Sequence, residues 1–119
     1  QYPILSDQDG LFVECKPVDG KHAIYTHYFN KGLIRFINGD YAWAMQDALM
    51  VGYIKSHYSF MKLSAVFSDD KKGAAFKTIN HFKISEYRIY RSTHKREFEW
   101  PKSHGAACPI LISHLWLPK

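Results

Sequence analysis

Glu14 and Lys16 stand two residues apart in the segment "LFVECK", at the end of a short apolar run. If that run is a strand, alternation puts the carboxylate and the ammonium side by side on one face. Phosphodiester hydrolysis can use such a pair directly. The carboxylate offers a hard oxygen ligand to Mg2+, with Mn2+ as the alternative ion, and the metal polarises the phosphate and lowers the pKa of a bound water. The lysine can orient that water or stabilise developing negative charge. The same acidic-x-Lys spacing recurs at Asp19–Lys21, Asp69–Lys71 and Asp70–Lys72, all in turn-like stretches. Only Glu14–Lys16 follows an apolar strand. Its bland alternative is a surface ion pair on a half-exposed strand, which contributes little energy.

The elements that must position this pair can be read from the spacing of apolar and turn residues. Tyr2–Ser6 and Leu11–Lys16 flank Asp9-Gly10, a dipeptide suited to a type I′ turn, and predict a β-hairpin. In its second strand Leu11, Val13 and Cys15 are expected to face a core, and Phe12, Glu14 and Lys16 the other side. Pro17 is expected to end that strand, with "VDGK" as a turn. Ile24, Tyr28, Leu33 or Ile34, and Ile37 recur at helical spacing, which predicts a helix from Ala23 to Asn38 that stops near Gly39.

Farther along, Tyr41–Asp47 reads as a short helical turn and Ala48–Lys55 as a buried strand. Ser56–Ser68 returns to helical spacing, and "SDDKKG" reads as a polar, exposed turn. Phe76–Lys83 fits neither period cleanly. Tyr87–Arg96 and Pro109–Leu117 alternate as strands, with a loop between them. The order of elements predicts an α/β or α+β domain, a central mixed β-sheet flanked by helices.

Composition bounds the function classes. With 119 residues there is room for one domain, residues 1–119, and for a real hydrophobic core. Eight Tyr, eight Phe and three Trp exclude a disordered chain. A net charge of +5 makes an anionic partner such as nucleic acid plausible. Cys15 and Cys108 form no CxxC pair and no disulfide framework, which points to a reducing, cytoplasmic setting. No apolar run approaches the roughly 18 to 20 residues that span a bilayer, and the start lacks a signal peptide's pattern. No membrane partner is expected.

The segment "DGLFVECKPV" resembles the second and third core strands of the PD-(D/E)XK, or restriction-endonuclease-like, nuclease superfamily. Its signature is a strand Asp followed by (D/E)-x-K. "YFNKGLIRFINGDYAWAM", "ALMVGYI", "YRSTHKRE" and "ISHLWL" are similar to an uncharacterised bacterial and phage group of that superfamily. The likeness spans Leu11 to Leu117 and is most specific in the ECK segment. It implies a restriction-endonuclease-like core and a metal-dependent nuclease acting on DNA. In that reading Glu14 is a metal ligand and Lys16 the catalytic lysine. A homodimer is the natural arrangement for cutting two strands, though no single residue carries that expectation.

The superfamily pattern also needs an Asp on the strand before ECK. With Asp9-Gly10 as a two-residue turn, Asp7 pairs with Phe12 and Leu5 lies opposite Glu14. Asp7 could join Glu14 on the metal through an irregular hairpin. Alternatively, the Asp lies before Gln1, in an N-terminal helix and strand segment that the chain lacks; this is the favoured reading. In the third reading the site is degenerate, and the domain binds nucleic acid or a protein partner without catalysis.

His94 and Arg96 share a strand face with Ser92, where an imidazole and a guanidinium could contact substrate phosphates. Lys71, Lys72, Lys95 and Lys102 are further candidates for phosphate contacts. His114, between Ile112 and Trp116, reads as a core histidine. His22, His27 and His81 lack the company a metal site needs, and Tyr41 and Trp43 read as core rather than base-stacking aromatics.

Overall fold

The computed structural model describes residues 12–18, 24–40, 46–54, 60–84, 89–98 and 108–118. The expected Asp9-Gly10 hairpin turn and most of the Tyr41–Asp47 turn lie outside them. The described residues form five strands and three helices: β1 (Val13–Val18), helix α1 (Tyr25–Ile37), β2 (Asp47–Ile54), α2 (Met61–Ser68), α3 (Asp70–Ala75), β3 (Thr78–Ile84), β4 (Ile89–His94) and β5 (Ile110–Pro118). The strands make one mixed sheet in the order β1-β2-β5-β4-β3. β1, β2 and β5 run parallel, and β4 and β3 return antiparallel. This is the α+β class read from the pattern of elements.

Helix α1 is the crossover between the parallel strands β1 and β2, a connection too long for a hairpin and suited to a helix. Tyr25–Leu33 is wound as a π-helix, and Ile34–Ile37 continues as an α-helix. The buried pairs Tyr28/Phe29, Gly32/Leu33 and Phe36/Ile37 repeat every four residues, between the α period of about 3.6 and the wider π winding. The helix ends as expected at Gly39, whose φ of +83° is a conformation glycine adopts without strain.

Helices α1 and α2 pack on one sheet face, and α3 ends on it through the Phe76 carbonyl, which meets His94. Phe67 of α2 meets Tyr90, His94 and His114, while Tyr28 of α1 meets His114 and Trp116. Phe29 joins the two helical units by packing against Phe67 and Phe76. The opposite face carries Val13 and Tyr53, which are exposed.

Three expectations are corrected. On β1 the core-facing set is Phe12, Glu14, Lys16 and Val18, while Val13 and Cys15 are exposed. Alternation alone sets two faces without saying which one a helix will cover. Pro17 does not end the strand, which runs on to Val18. A bond from the Leu49 N–H to the Phe12 carbonyl, 3.0 Å, sets the ladder's parity. The N–H groups of Glu14, Lys16 and Val18 therefore turn toward β2, and the Pro17 nitrogen faces the outer edge, where no donor is required.

Finally, "SDDKKG" is not a turn but the start of α3. The Asp69 carboxylate accepts from the Lys71 and Lys72 N–H groups at 3.1 and 2.8 Å. It thus caps a helix of only six residues, satisfying donors the first turn leaves open. Asp69→Ala is expected to lower unfolding free energy by about 1 kcal/mol, read as a shift of the urea midpoint with unchanged slope. An unchanged midpoint would mean that the cap adds nothing to α3.

Candidate active site

The alternation of β1 places Glu14 and Lys16 side by side, and their side chains form an ion pair with Nζ 3.1 Å from Oε1. Both side chains are about one-fifth exposed, at the outer strand of the sheet among the described residues. They lie in the crevice between β1 and α1. Gly32 of α1 makes the approach close: a Cβ there would lie 2.9 Å from Met50 Cε and 3.5 Å from Lys16 Cε. The lysine stem therefore runs under the helix while the charged head stays at the rim.

Glu14 lies in register with Met50, His114 and Tyr90 across the sheet, and Lys16 with Gly52 and Trp116. Buried apolar groups thus back the pair on its inner side. A water or phosphate would meet it from the rim.

Glu14 presents carboxylate oxygen, the soft Cys15 thiol sits on the other sheet face, and no group of three His, Cys, Asp or Glu that could hold a metal occurs among the described residues. Mg2+ is commonly held by one or two carboxylates, with water and substrate phosphate completing its shell. Glu14 can serve as one such ligand. Asp7, the second expected ligand, lies outside the described residues.

His94 and Arg96 are placed elsewhere. β4 is three strands from β1, roughly 14 Å across the sheet at about 4.8 Å per strand. His94 is fully buried, and Arg96 is nearly so. The Arg96 Nε–H donates to the Cys108 carbonyl at 2.8 Å, with the guanidinium over the Phe98 ring. Arg96 thereby ties the segment after β4 to the start of β5. The structure does not bring either residue to the Glu14–Lys16 crevice.

What surrounds His94 is a buried hydrogen-bond chain. Tyr28 Oη lies 2.7 Å from His114 Nδ1, and His114 Nε2 lies 2.7 Å from Ser92 Oγ. Ser92 Oγ is 2.7 Å from His94 Nε2, and His94 Nδ1 is 2.8 Å from the Phe76 carbonyl. A carbonyl can only accept, so His94 Nδ1 carries the hydrogen. With both rings neutral, every other proton follows: Ser92 donates to His94, His114 donates to Ser92, and Tyr28 donates to His114.

Burial enforces that neutrality. It pushes the His94 pKa down to about 4, against the Phe76 carbonyl, which favours the charged ring; nearby His81 lowers it further. Burial likewise holds His114 well below the usual imidazole range, helped by His94, and raises the Tyr28 hydroxyl far above its ordinary value. His114 is the core histidine that its place between Ile112 and Trp116 indicated. Sequence reading missed Tyr28 and Ser92 as its partners, because Tyr28 lies 86 residues away from it.

No protein-family model, curated protein or solved structure matches this chain. The functional reading therefore rests on the residues and their geometry.

The buried chain makes stability pH-dependent. A histidine whose folded pKa lies below its unfolded value binds more protons when unfolded, so stability is full above about pH 6.5 and falls toward pH 4. From His94 alone the loss between pH 7 and pH 4.5 is expected to be roughly 2 to 3 kcal/mol. Urea unfolding at several pH values measures the loss, and the His94 ring resonances should stay those of a neutral imidazole down to about pH 5. A ring that titrates near its ordinary value would contradict the assigned proton order.

Proposed function

We propose that this chain is a metal-dependent nuclease domain of the PD-(D/E)XK kind that hydrolyses DNA phosphodiesters, acting in the cytoplasm. The observation that carries the reading is the Glu14–Lys16 pair: two opposite charges side by side on one strand face, partly exposed at a crevice rim, and followed by a crossover helix and a parallel strand. No helix among the described residues is long and apolar enough to cross a membrane.

In this reading Glu14, with Asp7 as the expected second carboxylate, would hold Mg2+ or Mn2+. The cation supplies charge neutralisation and a more acidic bound water. Lys16 stands beside that position with its stem braced under Gly32, so its ammonium orients the attacking water and balances the negative charge that builds on the phosphate. With nucleic acid bound, the Lys16–Glu14 contact loosens as both groups take on substrate and metal partners. The pair is only about one-fifth exposed, so the exchange is inexpensive only because each charge gains a new partner as it leaves the old one.

A second reading has its own support. The described residues hold one carboxylate at the crevice and pair it with Lys16, an arrangement equally suited to a non-catalytic nucleic-acid-binding domain of the same architecture.

Plasmid and single-stranded DNA incubated with Mg2+ or Mn2+ separate the two. The nuclease reading expects cleavage that chelator abolishes, and losses of about 100- to 1,000-fold in Glu14→Gln and in Lys16→Gln, each with an unchanged circular dichroism spectrum. Cleavage that survives either substitution would sink it. Salt-sensitive binding without any turnover would favour the binding domain instead.

A further inference from the structure

Helix α1 carries no acidic residue anywhere between Ile24 and Ile37, and its charged residues are Lys31 and Arg35. With His27 they recur every fourth residue, a spacing that lines them up along one flank of the helix. The contacts of their neighbours fix which flank. Phe29 packs toward α2 and α3 through Phe67 and Phe76. Tyr28 and Gly32 point down at the sheet, Tyr28 onto Trp116 and Gly32 onto Met50 and Lys16. The positions just before them, 27, 31 and 35, therefore face away from α2 and overhang β1. Lys31 and Arg35 are exposed, and His27 is partly exposed.

This flank borders the crevice in which Glu14 and Lys16 reach solvent. The three positions stand on successive turns of the helix, enough to follow more than one phosphate of a strand. We propose that the His27–Lys31–Arg35 stripe is a phosphate-tracking surface, and that it lays the backbone of duplex DNA along α1 so that the strand passes the Glu14–Lys16 crevice. The inference deepens the nucleic-acid reading of that crevice and rests on it. It does not require turnover. Lys31 and Arg35 also sit in the later turns of α1, where cations complement the helix dipole. That role concerns stability alone and would leave DNA affinity untouched.

Fluorescence anisotropy with a labelled 20-base-pair duplex tests the stripe, using the full chain, EDTA to prevent cleavage, and KCl from 50 to 300 mM. Lys31→Glu and Arg35→Glu are each expected to weaken binding by about 5- to 30-fold and to lower the salt slope by about 1. Lys83→Glu makes the same charge change on exposed β3, at the opposite edge of the described sheet, and is expected to stay within about 2-fold. Circular dichroism and a thermal melt confirm that each variant is folded.

If all three reversals weaken binding equally, only net charge matters and the stripe is overturned; absence of duplex binding by the native chain overturns it too. A chain that never cleaves DNA but shows the expected order of affinities loses the nuclease reading and keeps the stripe. Cleavage that depends on Glu14 and Lys16, with three equivalent reversals, has the opposite meaning.

Discussion

One buried polar chain ties the layers of this domain together: Tyr28 to His114, to Ser92, to His94, and on to the Phe76 carbonyl. It starts on α1, crosses β5 and β4, and ends just past α3. Every member is buried, so a missing partner would leave a desolvated donor or acceptor at a cost of about 1 to 3 kcal/mol. The constraint is also directional. Because the chain ends on a carbonyl, each proton has one place to be, and α1 can sit over β5 only where the Tyr28 hydroxyl meets an unprotonated imidazole nitrogen. Phe67 packs against His81, His94 and His114 as well as Tyr90, closing the network from above with apolar surface.

That arrangement divides the sheet. At its centre Tyr28, His114, Ser92 and His94 spend their polar groups on one another and on the Phe76 carbonyl, and none of the four is open to solvent. Strand β1, outermost among the described strands, does the reverse: Glu14 and Lys16 pair with each other at 3.1 Å while about one-fifth of each side chain stays exposed. Partly exposed charge and buried rigidity are thus placed at different ends of the same face. Gly32 connects the two, because it lets α1 descend close enough to brace the Lys16 stem while Tyr28, one turn earlier, locks into the chain.

Helix α1, its stop at Gly39, and strands β2, β4 and β5 were legible because each rests on local information: a repeat of apolar residues bounded by a turn former. The facing of β1 was not legible in the same way. Phe12 and Val13 are both apolar, and the choice between them was made by the helix that came to lie over Glu14 and Lys16. The α3 helix hid behind its polarity, although an Asp such as Asp69 is a residue type that caps a helix start. His94 shares a strand face with Ser92 and Arg96, which together with the family resemblance suggests a phosphate contact. What decides its role is Phe76, Tyr28 and His114, which only the fold assembles. The pairing of Glu14 with Lys16 needed nothing beyond strand alternation, and there the sequence and the geometry agree.

Pro17 has a consequence for how the sheet can grow. Its nitrogen lies on the outer edge of β1, immediately after Lys16, where a regular strand would offer a hydrogen-bond donor to a neighbour. Any strand laid along that edge can take donors from Val13 and Cys15 but finds none at position 17, where only the Pro17 carbonyl is left to pair. The proline therefore removes one ladder bond from edge pairing beside the ammonium group, and added backbone is held less firmly there than along the earlier half of the strand.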